Sequence, residues 1–287
     1  MSGAAISTRG LVHIYRSEGH DVAALSGVDL SVRSGEMIGL LGPSGAGKST
    51  LLTLLGGLFR PSAGKIYIGD HELTALTVKE LDRLRAREVS LMLQGASRNL
   101  LPYLTPRQNV EFAQRAARRD SADLPDVGEV LDRVGLSEYA DHHLSGLTPG
   151  HLQLAAVAVA IATDPGVVLA DEPTSQLDHE ARDTVLKVLA DISAQQGTTV
   201  VLVTHDPQVA AVMPRTITIR DGRIGGEGRA GEEYAVVTAD GFVHLPDHAL
   251  AALPPGTLVR VHDQDGIYQL IPEHEAGGTP GATKEGS

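Results

Sequence analysis

The chain has 287 residues, of which 42% are hydrophobic and 21% charged, a balance that fits a globular fold and excludes wholesale disorder or a multispanning membrane protein. Lys plus Arg number 24 against 36 Asp plus Glu, and the resulting net charge of -12 makes nucleic acid or anionic lipid an unfavourable partner. Aromatics are only 3%, which argues against extended base-stacking platforms, and the absence of cysteine removes disulfides, thiolate nucleophiles and Cys-ligated zinc. The N-terminus, MSGAAISTRG, lacks the apolar core of a secretory signal, and the longest apolar run, 152 to 162, falls short of the roughly 20 residues that span a bilayer. Work at a membrane is therefore expected to proceed by docking on another protein.

In chain order, MIGLLG at 37 to 42, VSLML at 89 to 93, VVLAD at 167 to 171 and TTVVLVTH at 198 to 205 read as strands. Their nearly continuous apolar character predicts a parallel sheet covered on both faces by helices. TITIRDGRI at 216 to 224 reads as a hairpin on an Asp-Gly turn. GGEGRAG at 225 to 231 predicts a flexible linker spanning 225 to 233. After it, YAVVT, GFVHLP, TLVRV and GIYQLIP predict a small all-β domain over 234 to 273, followed by a tail at 274 to 287 with almost nothing to bury.

Gly42-Pro-Ser44-Gly45-Ala-Gly47-Lys48-Ser49 matches G-x-x-x-x-G-K-[ST] in full, between a predicted strand and the leucine-rich helical run LLTLLGGL. In that pattern the glycines turn backbone N–H groups onto phosphates, Lys48 reaches the β and γ oxygens, and the Ser49 hydroxyl can ligate Mg²⁺; Thr50, next to it, is a further nucleotide-binding candidate. Asp171 and Glu172 end the apolar run VVLA, at the sheet edge where ligands bind in open parallel sheets. There Asp171 would hold Mg²⁺ through water and Glu172 would polarise the attacking water.

On these motifs, residues from about Ile6 to about Ile224 resemble the nucleotide-binding domain of ATP-binding cassette (ABC) transporters, an α/β P-loop fold with a mostly parallel core, antiparallel β and a helical subdomain at about 95 to 160. ASRNLLPYLTPRQNV after Gln94 and ADEPTSQLD at 170 to 178 are most similar to the lipoprotein-release, macrolide-export and cell-division group. The resemblance implies that Tyr15 stacks on adenine, that Gln94 senses Mg²⁺ and touches the membrane subunit, that Asp178 lies in the dimer-contact loop, and that His205 contacts the γ-phosphate. It also implies ATP and Mg²⁺ as ligands, an integral membrane permease as partner and a peripheral place on the cytoplasmic membrane face.

One segment departs from the family. Where the signature Leu-Ser-Gly-Gly-Gln belongs stands Leu147-Thr148-Pro149-Gly150-His151. Thr148 keeps a hydroxyl, but Pro149 has no N–H to offer the γ-phosphate bound by an opposite subunit. Leu154 and Val159 stand where relatives carry arginines. The expectation is an asymmetric heterodimer with a second ATP-binding cassette subunit whose signature is intact; a homodimer with a working Thr148 and Gly150, a soluble non-transport ATPase and a non-hydrolysing assembly module are the alternatives. Residues 234 to 272 resemble, through VVTADGFVHLPDHALAALPPGTLVRV, one swapped-hairpin unit of the AbrB/SpoVT type. Nine acidic and three basic residues over 229 to 287 disfavour DNA binding there; a pairing or regulatory role is expected, with a small β appendage that only stabilises the main domain as the alternative.

Overall fold

A computed structural model describes residues 3–17, 20–118, 123–229, 231–238 and 241–272. The chain opens with strands β1 (Ile6–Ser17), β2 (His20–Val28), β3 (Ser31–Val32) and β4 (Met37–Leu41), then helix α1 (Lys48–Leu55). β5 (Ala63–Ile68), β6 (His71–Glu72), α2 (Val78–Arg87) and β7 (Val89–Met92) follow, and then three helices, α3 (Pro106–Ala117), α4 (Val127–Arg133) and α5 (Pro149–Ala160). β8 (Val167–Asp171), α6 (His179–Gln196), β9 (Thr199–Val203) and α7 (Pro207–Val212) lead to β10 (Arg215–Arg220), β11 (Arg223–Arg229) and β12 (Glu232–Ala235). The last described elements are α8 (Asp247–Ala252), β13 (Val259–Gln264) and β14 (Ile267–Pro272).

A seven-stranded sheet in the order β12-β11-β10-β4-β9-β8-β7 forms the centre. From β10 to β7 all neighbours are parallel, whereas β11 and β12 add antiparallel strands at one edge. Alternate residues of β8 and β9 enter two separate cores: Val168, Ala170, Val200 and Leu202 pack with α5 and α6, while Leu169, Val201 and Val203 pack with α1 and the β1-β2 sheet. Burial on both faces is why these strands read as uninterrupted apolar runs. The second sheet, β2-β1-β5-β6 with β3 on β1, lies in the N-terminal third of the chain. Among the described residues no helix is long and apolar enough to cross a membrane.

Helix entries follow local chemistry. Thr77 and Glu80 close a capping box on α2, and Thr105 and Gln108 another on α3, each satisfying two backbone donors that have no partner within the helix. Asp221 and Gly222, at φ 49° and 72°, make the β10-β11 turn, and a Cβ on Gly222 would stand 2.7 Å from Ala24 O, so the Asp-Gly pair is required by both turn and packing.

The linker expected at 225 to 233 is not one. Gly225 to Arg229 lie in β11: Gly225 falls at a bulge, and Gly226 to Arg229 pair residue by residue with β10 and with β12. Glycine is dictated by close approach: a Cβ on Gly228 would lie 2.3 Å from Thr216 Oγ1. Consequently Tyr234 and Ala235, expected to open the small domain, join Glu232 and Glu233 of the expected linker in completing the central sheet. Two compact units result, residues 1–243 and 244–287. In the second, α8 precedes the β13-β14 hairpin, whose Asp265-Gly266 turn has φ 53° and 83°. The tail expected at 274 to 287 lies outside the described residues.

Candidate functional site

The phosphate-loop segment, Gly42 to Gly47, joins β4 to α1 at the carboxyl edge of the central sheet. At Gly42, φ is 137° and a Cβ would meet Ile219 O at 2.0 Å; at Gly47, φ is 99° and a Cβ would meet Ala24 O at 2.4 Å. Only glycine fits these two positions. Gly45, at φ 80°, faces open space, and Ser44 beside it is exposed, so the mouth of the loop is clear for an anion. Lys48 is 7% exposed, and its amine donates to Gly42 O at 2.7 Å and Pro43 O at 2.8 Å. Burial lowers its pKa, against the opposing pull of Glu172 and Asp171.

Asp171 ends β8, and burial raises its carboxyl pKa; a hydrogen bond from Ser49 works the other way, Glu172 adds to the rise, and Lys48 and Arg98 also lower it. Glu172, the next residue, sits in the left-handed region at φ 47°, a conformation that costs free energy and turns its side chain out of the strand direction. Its Oε1 lies 2.8 Å from His205 Nδ1, at the exit of β9, and its Oε2 accepts from Gln94 Nε2 at 2.9 Å. Gln94 is presented by a loop that Asn99 closes, with Asn99 Oδ1 accepting from Leu93 N and its amide donating to Leu93 O and Gly95 O. Ser49, Asp171 and Gln94 are oxygen donors, the type that Mg²⁺ takes, alongside substrate phosphates.

Tyr15 on β1 is 42% exposed. Its hydroxyl lies 3.2 Å from Thr50 Oγ1 and the ring of the buried His13 meets it edge-on at 4.7 Å. The ring is thereby held beside the start of α1 with surface left to stack on a base.

Thr148 to His151 do not join this cluster within the chain. Thr148 is the N-cap of α5, its Oγ1 accepting from His151 N at 3.2 Å, and Pro149 occupies the first helical position. Pro149 therefore removes a donor without disturbing the helix entry, because that N–H has no intrahelical partner in any helix. The Gly150 N–H remains, and a Cβ there would press on Ala181 Cβ at 2.9 Å. The ring of His151 packs on Tyr139 at 4.1 Å. A pocket of about 470 Å³ lies between this segment and Asp178, which caps α6. A second cleft of about 600 Å³ takes in Gln94, Glu172, Asp178 and His205. Gln176, at φ 66°, lines both.

Two residues at the site were not expected. Arg98 is within electrostatic reach of Asp171, and Arg182, one helical turn after Asp178, lines the cleft of Glu172 and His205. The spacing of Arg182 from Asp178 was the only sequence sign of it.

Residues 25–175 match the family model described as ABC transporter. The chain is 40% identical over 254 residues to the methionine import ATP-binding protein MetN of Caulobacter vibrioides, covering 86% of this chain and 75% of the relative. It is 36% identical over 247 residues to the macrolide export ATP-binding/permease protein MacB of Rhodopseudomonas palustris, covering 86% of this chain and 37% of that longer protein. Among solved structures, the dimeric post-hydrolysis ATP-binding cassette MJ0796 with ADP and Pi superposes with a TM-score of 0.70 at 31% identity, over 78% of this chain and 98% of that one. On these matches the chain belongs to the ABC transporter family as an ATP-binding protein.

Proposed function

We propose that this ABC ATPase is the ATP-hydrolysing subunit that drives a separate integral membrane permease, working from the cytoplasmic face of the membrane in an asymmetric pair with a second cassette whose signature is intact. The observation that carries the reading is Pro149 at the first position of α5 in a chain whose own phosphate loop, Glu172 and His205 are in place. Each nucleotide in such a pair lies between one chain's phosphate loop and the other's signature. This chain supplies complete chemistry to one site and a signature lacking a donor to the other.

In the competent site, Lys48 exchanges two loop carbonyls for phosphate oxygens, and Tyr15 supplies the ring against adenine. Ser49, Asp171 and Gln94 would hold Mg²⁺, which when bound would neutralise charge on the phosphates. Glu172 is fixed at both oxygens, by Gln94 and by His205, so its carboxylate has one orientation in which to accept a proton from an attacking water. His205 donates to the γ-phosphate.

The test is purification of the tagged full chain from native membranes with its bound partners, followed by Glu172→Gln. Hydrolysis that survives undiminished sinks the assignment of chemistry to this chain. Recovery of no other cassette, with two equivalent hydrolysing sites, sinks the asymmetry.

For the second unit we infer a pairing role. Cross-strand partners share a face, so Val259, Val261, Asp263, Tyr268, Leu270 and Pro272 form one side of the hairpin, apolar at every position but Asp263. Val261 is 61% and Tyr268 71% exposed, and a lone two-stranded hairpin is marginally stable in water. Removal of residues 244 to 287 should lower the number of chains per particle, taken from light scattering as particle mass over chain mass; an unchanged number excludes pairing.

A further inference from the structure

Arg182 is joined to three residues of the catalytic cleft, Asp178, Asp206 and Gln208. Its backbone N–H donates to Asp178 O at 2.9 Å, closing the first turn of α6 behind the dimer-contact loop. Its side chain is 13% exposed, with Nη1 3.6 Å from Asp206 Oδ2 and donating to Gln208 Oε1, while Nε donates to Asp183 Oδ1 at 2.9 Å. Asp206 and Gln208 follow His205 directly, and they form a closed unit. Asp206 N donates to Thr204 Oγ1 at 3.0 Å, and Asp206 Oδ1 accepts from Gln208 N at 2.8 Å. The side chain of His205 is itself 69% exposed. Little packing fixes it, so its aim depends on the bond to Glu172 and on where its loop is held.

An exposed surface ion pair would be worth almost nothing. Arg182 differs in being largely enclosed and in using a planar fork to reach acceptors on two elements, a geometry that a lysine cannot reproduce. The path from Asp178 through Arg182 to Asp206, His205 and Glu172 is unbroken, and all five residues line one cleft.

We propose that Arg182 is a positioning residue that holds the His205 loop in register with the Asp178 loop, so that His205 meets the γ-phosphate while the dimer-contact loop is seated. This rests on the reading of the site given above. Arg182 acts through His205 and touches no nucleotide.

The test is titration calorimetry on the full-length chain with Mg²⁺ and either the non-hydrolysable ATP analogue adenylyl imidodiphosphate or ADP, which lacks the γ-phosphate. R182A should weaken the analogue about tenfold, roughly the factor carried by one hydrogen bond to a charged group, and leave ADP affinity unchanged. R182K should recover part of the loss through its charge on Asp206. In an H205A background, R182A should cost nothing further, because two residues acting through one contact are not additive. An equal loss for both nucleotides, no loss at all, or full additivity with H205A overturns the proposal for Arg182 alone. A wild-type chain that binds neither nucleotide overturns the reading of the site itself.

Discussion

Glu172 and His205 face each other at 2.8 Å across the ends of two adjacent parallel strands, β8 and β9. The pair is delivered by strand register: Asp171 lies beside Val203 in the ladder, and Glu172 N donates to Val203 O at 3.0 Å. The positive φ of Glu172 then turns its carboxylate toward the loop that follows β9.

Glu172→Gln should reduce hydrolysis by at least about a hundredfold, the usual loss when a general base is removed, while leaving ATP affinity within about threefold. The amide oxygen can still accept from Gln94 or His205, so the site keeps its shape. Single-turnover hydrolysis and equilibrium binding on the same preparation measure the two quantities.

Pro149→Gly should restore a backbone donor at the entry of α5 and raise turnover of the assembled complex by roughly tenfold or more at the weakened site. The same change should destabilise the chain by about 0.5–1 kcal/mol, since proline in a compatible position restricts the unfolded state. Steady-state hydrolysis and urea denaturation should therefore move in opposite senses.

Asp171→Asn should stabilise the nucleotide-free chain at neutral pH. Burial raises this carboxyl above its unfolded value, so its contribution is favourable at low pH, where it is protonated in both states. That contribution is lost as pH rises through the folded pKa. The melting temperature of the variant should exceed that of wild type at pH 7.5, with the difference vanishing at acid pH. Magnesium-dependent ATP binding should fall sharply in the same variant.

Gln176→Gly should stabilise the chain by up to about 1 kcal/mol, because a side chain at φ 66° carries strain that glycine relieves, partly offset by glycine's greater freedom when unfolded. Gln176→Val should destabilise, as a β-branched residue tolerates that region worst. Chemical denaturation midpoints distinguish the two.

The central strands were legible because both faces of β4, β8 and β9 are buried, which leaves continuous apolar runs in the sequence. The phosphate loop was legible because Gly42 and Gly47 admit no other residue. β11 was not, because Gly226 and Gly228 lower strand propensity, and at Gly228 the reason, the approach of Thr216, is revealed only by the partner strand. Arg182 was hidden for a related reason: its acceptors, Asp206 and Gln208, are more than twenty positions away, and only the packing of α6 beside the end of β9 brings them together. At Pro149 the sequence reported a missing donor, while the intact helix entry required the capping geometry of Thr148.

The continuity of β12, β11, β10 and β4 has a mechanical consequence. A glycine tether between residues 225 and 233 would absorb tension as simple extension. Instead, load applied to the backbone past Ala235 is borne in shear by successive ladders and reaches β4, whose final residue, Leu41, adjoins Gly42. The C-terminal end of the first unit is thus stiffly geared to the nucleotide loop.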